Sequence, residues 1–221
     1  MKLLIVSDLH YHLHQYDWML AEAPHYDAVI VAGDLLDLGS SVQQDIQMVV
    51  VERYLQKIQK LRPVLTASGN HDFGSQAGEG LGSAAAFWME ALEDVGVPSD
   101  GHCVSLGDGA KVSLCRWWQD ERERDQVYAQ LLRDREQAGE KWFWVHHVPP
   151  DGTPLSWTGK KHMGEAILND WILELQPDLV FCGHIHRAPF TSEGSWQIQL
   201  GKTRGVQHGS GNESRACPFD N

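Results

Sequence analysis

Five short apolar runs, each broken off by glycine, aspartate, asparagine or histidine, limit what this 221-residue chain can become. They are Leu3 to Val6, Ala28 to Ala32, Val64 to Ala67, Trp142 to Val145 and Asp178 to Cys182. Their brevity and their content of β-branched residues predict buried strands. Longer helix-like stretches fall between them, at Val42 to Leu61, Ala84 to Val95, Asp120 to Ala138 and Glu165 to Leu175. Strand-then-helix alternation of this kind predicts an α/β fold whose connections favour parallel strands.

The remaining segments fit around that frame. Cys103 to Cys115 carries Gly107-Asp108-Gly109 between alternating flanks and reads as a hairpin, while Trp196 to Leu200 and Thr203 to Gln207 suggest a closing pair of strands. Gly74 to Gly82 and Pro149 to Met163 are rich in glycine, proline and serine and follow strand ends, which makes both candidate active-site loops. No internal repeat or composition break divides the chain, so a single domain over residues 1–221 is expected, with an irregular tail over 207–221. The mixed charges of Glu121 to Glu136 are those of a solvated helix face.

Charge and cysteine usage exclude several classes. A formal net charge of -12 argues against general binding to nucleic-acid backbones, so any phosphate site must be local. The apolar opening from Met1 to Val6 is too short for a signal-peptide core or a membrane span. Cys103, Cys115, Cys182 and Cys217 are widely spaced, with no CxxC pair, and a reducing cytoplasm suits them. Against this plain background stand 12 histidines, the commonest metal ligands.

Where they fall is informative. Asp8-Leu9-His10 follows the first run, Gly33-Asp34-Leu35-Leu36-Asp37 the second and Gly69-Asn70-His71-Asp72 the third. His146-His147 follows the fourth and Gly183-His184-Ile185-His186 the fifth. In open α/β sheets the carboxyl ends of the strands form one rim, where groups distant in the chain converge. Residues two apart in extended backbone point the same way, so Asp8 with His10, and His184 with His186, can each act as a paired claw. Oxygen and imidazole donors without thiolate suit manganese, iron, zinc, cobalt or nickel and do not suit an all-oxygen calcium site.

The ordered blocks DxH, GDxxD, GNHD, a paired histidine and GHxH resemble those of the calcineurin-like metallophosphoesterases, over the span from Asp8 to His186. That resemblance implies a four-layer α/β/β/α sandwich with two mixed sheets and two divalent cations at the strand ends, manganese or iron favoured. It further implies that Asp8, His10 and His186 hold the first metal and Asn70, His146 and His184 the second, with Asp34 bridging both. His146 is chosen from the histidine pair because it directly ends its strand. By the same resemblance His71 protonates the leaving oxygen or stabilises the transferring phosphoryl group, and Asp37 orients its imidazole; Asp72 is a second candidate for that orienting task. Two dications against two carboxylates and a bridging hydroxide leave a net positive centre that attracts a phosphoryl anion.

The expected function is therefore hydrolysis of a phosphomonoester or phosphodiester by that hydroxide. A small molecule such as a nucleotide is favoured as substrate, because the chain lacks a separate capping domain and a broad basic surface. The rival is a binding scaffold of the same fold that has lost turnover. His12, His14, His25, His102 and His208 read as surface or rim groups. Lys160, Lys161 and His162 could receive a phosphate, Trp157 could stack on a base, and Arg187 could touch substrate oxygens, but a solvated loop or a surface ion pair accounts for each equally well. Trp117 and Trp118 read as core or rim packing, and Cys182 as a small core residue. After the last strand the family usually continues into an Asn-Pro-Gly-Ser turn, whereas this chain has Gln207-His208-Gly209-Ser210.

Overall fold

The computed structural model describes residues 1–73 and 84–207. The candidate loop Gly74 to Gly82, and the tail beyond Gln207 with Cys217, lie outside the described residues. The first half of the fold is β1 (Leu3–Val6), α1 (Leu13–Glu22), β2 (Ala28–Ala32), α2 (Gln44–Gln59), β3 (Val64–Ala67) and α3 (Ala84–Ala91). A 3-10 turn over Leu92–Val95 completes the helical stretch expected from Ala84 to Val95. The second half is β4 (Cys103–Ser105), β5 (Ala110–Leu114), α4 (Glu121–Glu136), β6 (Lys141–Val145), α5 (Ala166–Leu175), β7 (Leu179–Cys182), β8 (Gln197–Leu200) and β9 (Thr203–Gln207).

These strands form two sheets, one of three strands in the order β1-β2-β3 and one of six in the order β4-β5-β6-β7-β9-β8. Helical crossovers α1 and α2 return the chain to the same end each time, so among the described strands the first sheet is wholly parallel rather than mixed. The second sheet is mixed: β5, β6, β7 and β9 run parallel, and β4 and β8 lie antiparallel along its edges. The expected hairpin and closing pair are β4-β5 and β8-β9. Gly109, in the turn between β4 and β5, has φ 70°, a left-handed value that costs glycine little.

Alternation along the strands builds the layers. Ile5, Ile30, Leu65, Val112, Phe143 and Phe181 meet between the sheets. The residues between them in sequence face outward: Leu4, Val29 and Val31 pack under Tyr16, Met19, Val51 and Leu55 of α1 and α2. On the other side Trp142, Trp144, Val180 and Cys182 pack under Val127, Leu131, Leu168 and Ile172 of α4 and α5. The result is the four-layer α/β/β/α sandwich, with Cys182 a core residue as expected. Each such side chain contributes about 1.5–3 kcal/mol on burial. Because both faces of β6 and β7 are covered, these strands read as continuous apolar runs. No helix among the described residues is long and apolar enough to cross a membrane.

Candidate metal centre

The carboxyl ends of β1, β2, β3, β6 and β7 meet at one rim along the seam between the sheets. Asp8 and His10 come from the end of β1 and Asp34 from the end of β2. Their backbones are left-handed, with φ 54°, 43° and 55°. Non-glycine residues enter that region at a cost of about 1–3 kcal/mol each and stay there only when their surroundings hold them. Here the Asp8 N–H donates to Gly33 O, the His10 N–H to Asp34 O and the Tyr11 N–H to Leu35 O, all at 3.0 Å. These bonds lash the first strand's exit to the second's.

Glycines make the close approach possible. A Cβ on Gly69 would stand 2.3 Å from Asp34 Oδ1, and one on Gly33 would stand 2.5 Å from His147 Nδ1. Both distances are below any real contact, so the chain passes these points only because the side chain is missing.

Asp8, His10, Asp34 and His186 present donor atoms within 4.8 Å of one another, and Asp34, His147 and His184 form a second such group sharing Asp34. His186 Nε2 lies 3.1 Å from Asp8 Oδ1 and 3.1 Å from His10 Nε2. On the other side His147 Nε2 stands 3.2 Å from Asp34 Oδ2 and 3.9 Å from Asp8 Oδ1. Asn70 Oδ1 faces His184 Nδ1 at 2.9 Å, and the His184 N–H donates to the Asp8 carboxylate. Asp8, His10, Asp34, Asn70, His184 and His186 thus come together at this rim.

His146 does not join them. Its imidazole lies on the opposite face of the strand, 4.3 Å from the Trp118 ring between centroids, with Nδ1 3.0 Å from Val148 O. The reason is the period of two along β6. Phe143 and Val145 face the other sheet and place His147 on that side, whereas Trp142 and Trp144 face the helices and place His146 with them. Counting two from an inward residue would have found His147, once the inward face was known.

His71 and Asp37 form the outer part of the site. His71 N–H donates to Asp34 Oδ1 at 2.8 Å, and its ring stands edge-on to His10 with centroids 4.5 Å apart. His71 Nδ1 is 4.0 Å from Asp37 Oδ1, beyond hydrogen-bond range, while the same oxygen accepts from Gly39 N–H. Asp72 takes no part in orienting His71. Its carboxylate accepts from the backbone N–H groups of Leu35, Leu36 and Gly69, which fastens the turn after β2 to the turn after β3.

The charges are arranged to be shared. Burial opposes ionisation of Asp8, but the hydrogen bond from His186 and the charge of His147 outweigh it and hold the carboxyl below the usual range. Asp34 is likewise held down, burial being overcome by His147 and by the His71 N–H. Burial by itself would lower His147; Asp34 and Asp8 lift it to about 9. His184 falls to about 4 through burial and the neighbouring His147 charge. Burial, followed by the Asp34 charge, pushes Asp72 up to about 8.

This donor set fits divalent cations. Among the described residues His147 Nε2 is buried with no hydrogen-bond partner, as is His146 Nε2 on the other face, but only His147 has Asp34 and Asp8 within ion-pair reach. A buried polar atom left this way is costly unless something else binds it. Two carboxylates with several imidazoles and an amide oxygen, and no thiolate, suit borderline dications.

A sequence model of calcineurin-like phosphoesterases matches residues 1–188. The chain belongs to that family. Calcineurin-like phosphoesterases are metal-dependent, and the rim just described carries candidate metal-binding groups of the kind they use. Similar folds occur in TT1561 of Thermus thermophilus, 14% identical with a TM-score of 0.65, covering 94% of this chain and 88% of that one. A hypothetical protein from the same organism is 15% identical with a TM-score of 0.53, covering 94% of this chain and 75% of its own. At such identities the likeness speaks for the fold alone. Among curated proteins no sequence match is found.

Proposed function

We propose that this calcineurin-like phosphoesterase hydrolyses a small phosphorylated molecule at a two-metal centre. Asp8, His10 and His186 would hold one cation and Asn70, His147 and His184 the other, with Asp34 between them. His147 replaces His146 in this assignment. The observation that carries the reading is the grouping of donor atoms within 4.8 Å of one another, Asp8, His10, Asp34 and His186 on one side and Asp34, His147 and His184 on the other, with Asp34 common to both. Manganese or iron is favoured for the oxygen and imidazole donors.

The cations, when bound, supply positive charge to the phosphoryl oxygens and acidify water near neutral pH. The chain's own groups do the rest. Asp34 accepts the His71 N–H and so fixes the backbone from which the His71 side chain reaches the leaving oxygen. Partly open to solvent, His71 would deliver a proton to that oxygen. His71 Nδ1 accepts from the Leu38 N–H at 3.4 Å, and Asp37 would orient the ring only if substrate binding drew the two together from 4.0 Å. Ser7 hydroxyl and His184 N–H both donate to Asp8, fixing the carboxylate that faces His186.

The test is metal analysis of purified protein followed by hydrolysis of p-nitrophenyl phosphate and bis-p-nitrophenyl phosphate with manganese, iron or zinc supplied. Metal near two equivalents and turnover of either ester are expected. Bound metal with no turnover of either would favour a silent scaffold and overturn the proposal.

A further inference from the structure

Trp117 stands at the rim of the centre, half-buried, with its ring 5.6 Å from that of His184 and 6.0 Å from that of His147. Its neighbour Trp118 lies against His146 and 5.6 Å from the Trp171 ring in the layer under α5. Both indoles pack in part against the core under α4 and α5, and Trp117 also borders His184 and His147.

The backbone of Trp117 is fixed from both sides. Arg116 pairs with Glu123 at 3.2 Å, and Trp118 lies against His146 in a tilted ring contact. The Trp117 N–H donates to Ser68 Oγ at 2.9 Å, and Ser68 N–H donates to Asp100 Oδ1 at 2.8 Å. Ser68 leads directly into Gly69 and Asn70, so the Trp117 backbone is tied to the same turn that carries Asn70 to His184. With its backbone anchored and its ring set against His184, His147 and the neighbouring core, Trp117 loses less freedom than an open surface side chain would when a ligand stacks on it.

We infer that Trp117 is the stacking platform for a planar aromatic group on the substrate, so that the preferred ester carries a nucleobase or a comparable ring beside its phosphate. The inference rests on the phosphoesterase reading above and narrows its substrate class. A purine or pyrimidine has a π-face whatever its sequence of ring atoms, and stacking on an aromatic side chain strengthens binding without base-specific hydrogen bonds. The net charge of -12 makes such neutral contact area useful, since the surface offers little general attraction for an anionic ligand.

The experiment is isothermal calorimetry on manganese-loaded protein, using the phosphonate analogues of adenosine monophosphate and of ribose 5-phosphate, whose carbon–phosphorus bond resists hydrolysis. The wild type should bind the adenosine analogue about tenfold or more tightly than the ribose analogue. Trp117→Leu should bring that ratio close to one, and Trp117→Phe should retain part of it. Equal affinity of the wild type for the two analogues would overturn the inference, whether or not the variants fold. So would an unchanged ratio in a folded Trp117→Leu protein. Failure of the phosphoesterase reading would look different, as absent turnover of both nitrophenyl esters with binding preserved.

Discussion

His147 and Asp34 meet across the seam between the two sheets, Nε2 to Oδ2 at 3.2 Å, each fully buried or nearly so. Among the described residues neither has another charged partner as close, and the pair joins the end of β6 to the end of β2. His147 Nδ1 completes the link at 2.7 Å from Ala32 O.

The two adjacent histidines should therefore behave differently. His147→Ala should lose at least one equivalent of metal and roughly 100-fold or more of turnover, since a chelating donor and its geometry go together. His146→Phe should keep its metal and most of its activity, with stability lowered by about 1–2 kcal/mol for the lost bond to Val148 and altered stack on Trp118. Plasma emission analysis of both proteins decides the matter. Metal retained in the first and lost in the second would restore His146 as the donor.

His71→Ala should bind metal normally and lose on the order of 100-fold in turnover, the size of a missing general acid. Its deficit should shrink with substrates whose leaving group needs no proton, so p-nitrophenyl esters should suffer less than alkyl esters. Asp37→Asn should show a smaller loss of the same pattern. Equal deficits on both ester types would remove His71 from the proton-transfer role.

Metal-free protein should weaken as the solution becomes alkaline. His147 has its proton held to about 9 in the fold against 6.5 in the open chain. A group raised in this direction stabilises fully below pH 6.5, and its contribution disappears as pH climbs to 9. Calorimetric Tm in chelator should therefore drop across that window, and His147→Gln should flatten the drop. Added manganese should abolish the dependence, because the cation takes the nitrogen that the proton would occupy. A slope unchanged in the variant would assign it elsewhere.

Gly69→Ala should be among the most damaging small changes in the chain. The new methyl would need the space of Asp34 Oδ1 and of the Asp34 backbone nitrogen, at 2.3 and 2.5 Å. Overpacking of that kind costs about 1–3 kcal/mol, and here it also displaces a carboxylate the centre depends on. Gly107→Ala, where a Cβ meets nothing within 4 Å, is the control and should leave Tm and metal content near wild type.

The strands and most of the site were readable from the residues because the information is local. Leu3–Val6, Ala28–Ala32 and Val64–Ala67 appear as strands with the expected bounds, each followed by polar donors. What escaped is set by packing between elements. Along Lys141–Val145 both faces are covered, so Trp142, Phe143, Trp144 and Val145 carry no polar alternation to tell inward from outward, and the choice fell on His146, which faces the helices. The helix Leu13–Glu22 opens with Leu-His-Gln-Tyr-Asp, a mixed start whose only fully buried members are Tyr16 and Met19, and its apolar face is thin. Asp72 looked like a partner for His71 on adjacency alone. Its actual partners are backbone N–H groups of a distant turn, which no spacing reveals.

The carboxylates of the rim belong to one sheet, with Asp8 and Asp34 on its strand ends, and His147, His184 and His186 belong to the other. Ile5, Ile30, Phe143 and Phe181 fill the gap between the two and act as a spacer that fixes how far acid stands from imidazole. A trimmed phenyl ring deep in that filling would change no donor, yet it would let the jaws of the clamp close or slip. In this fold the greasy interior is part of the catalytic instrument, and residues that never see solvent set its calibration.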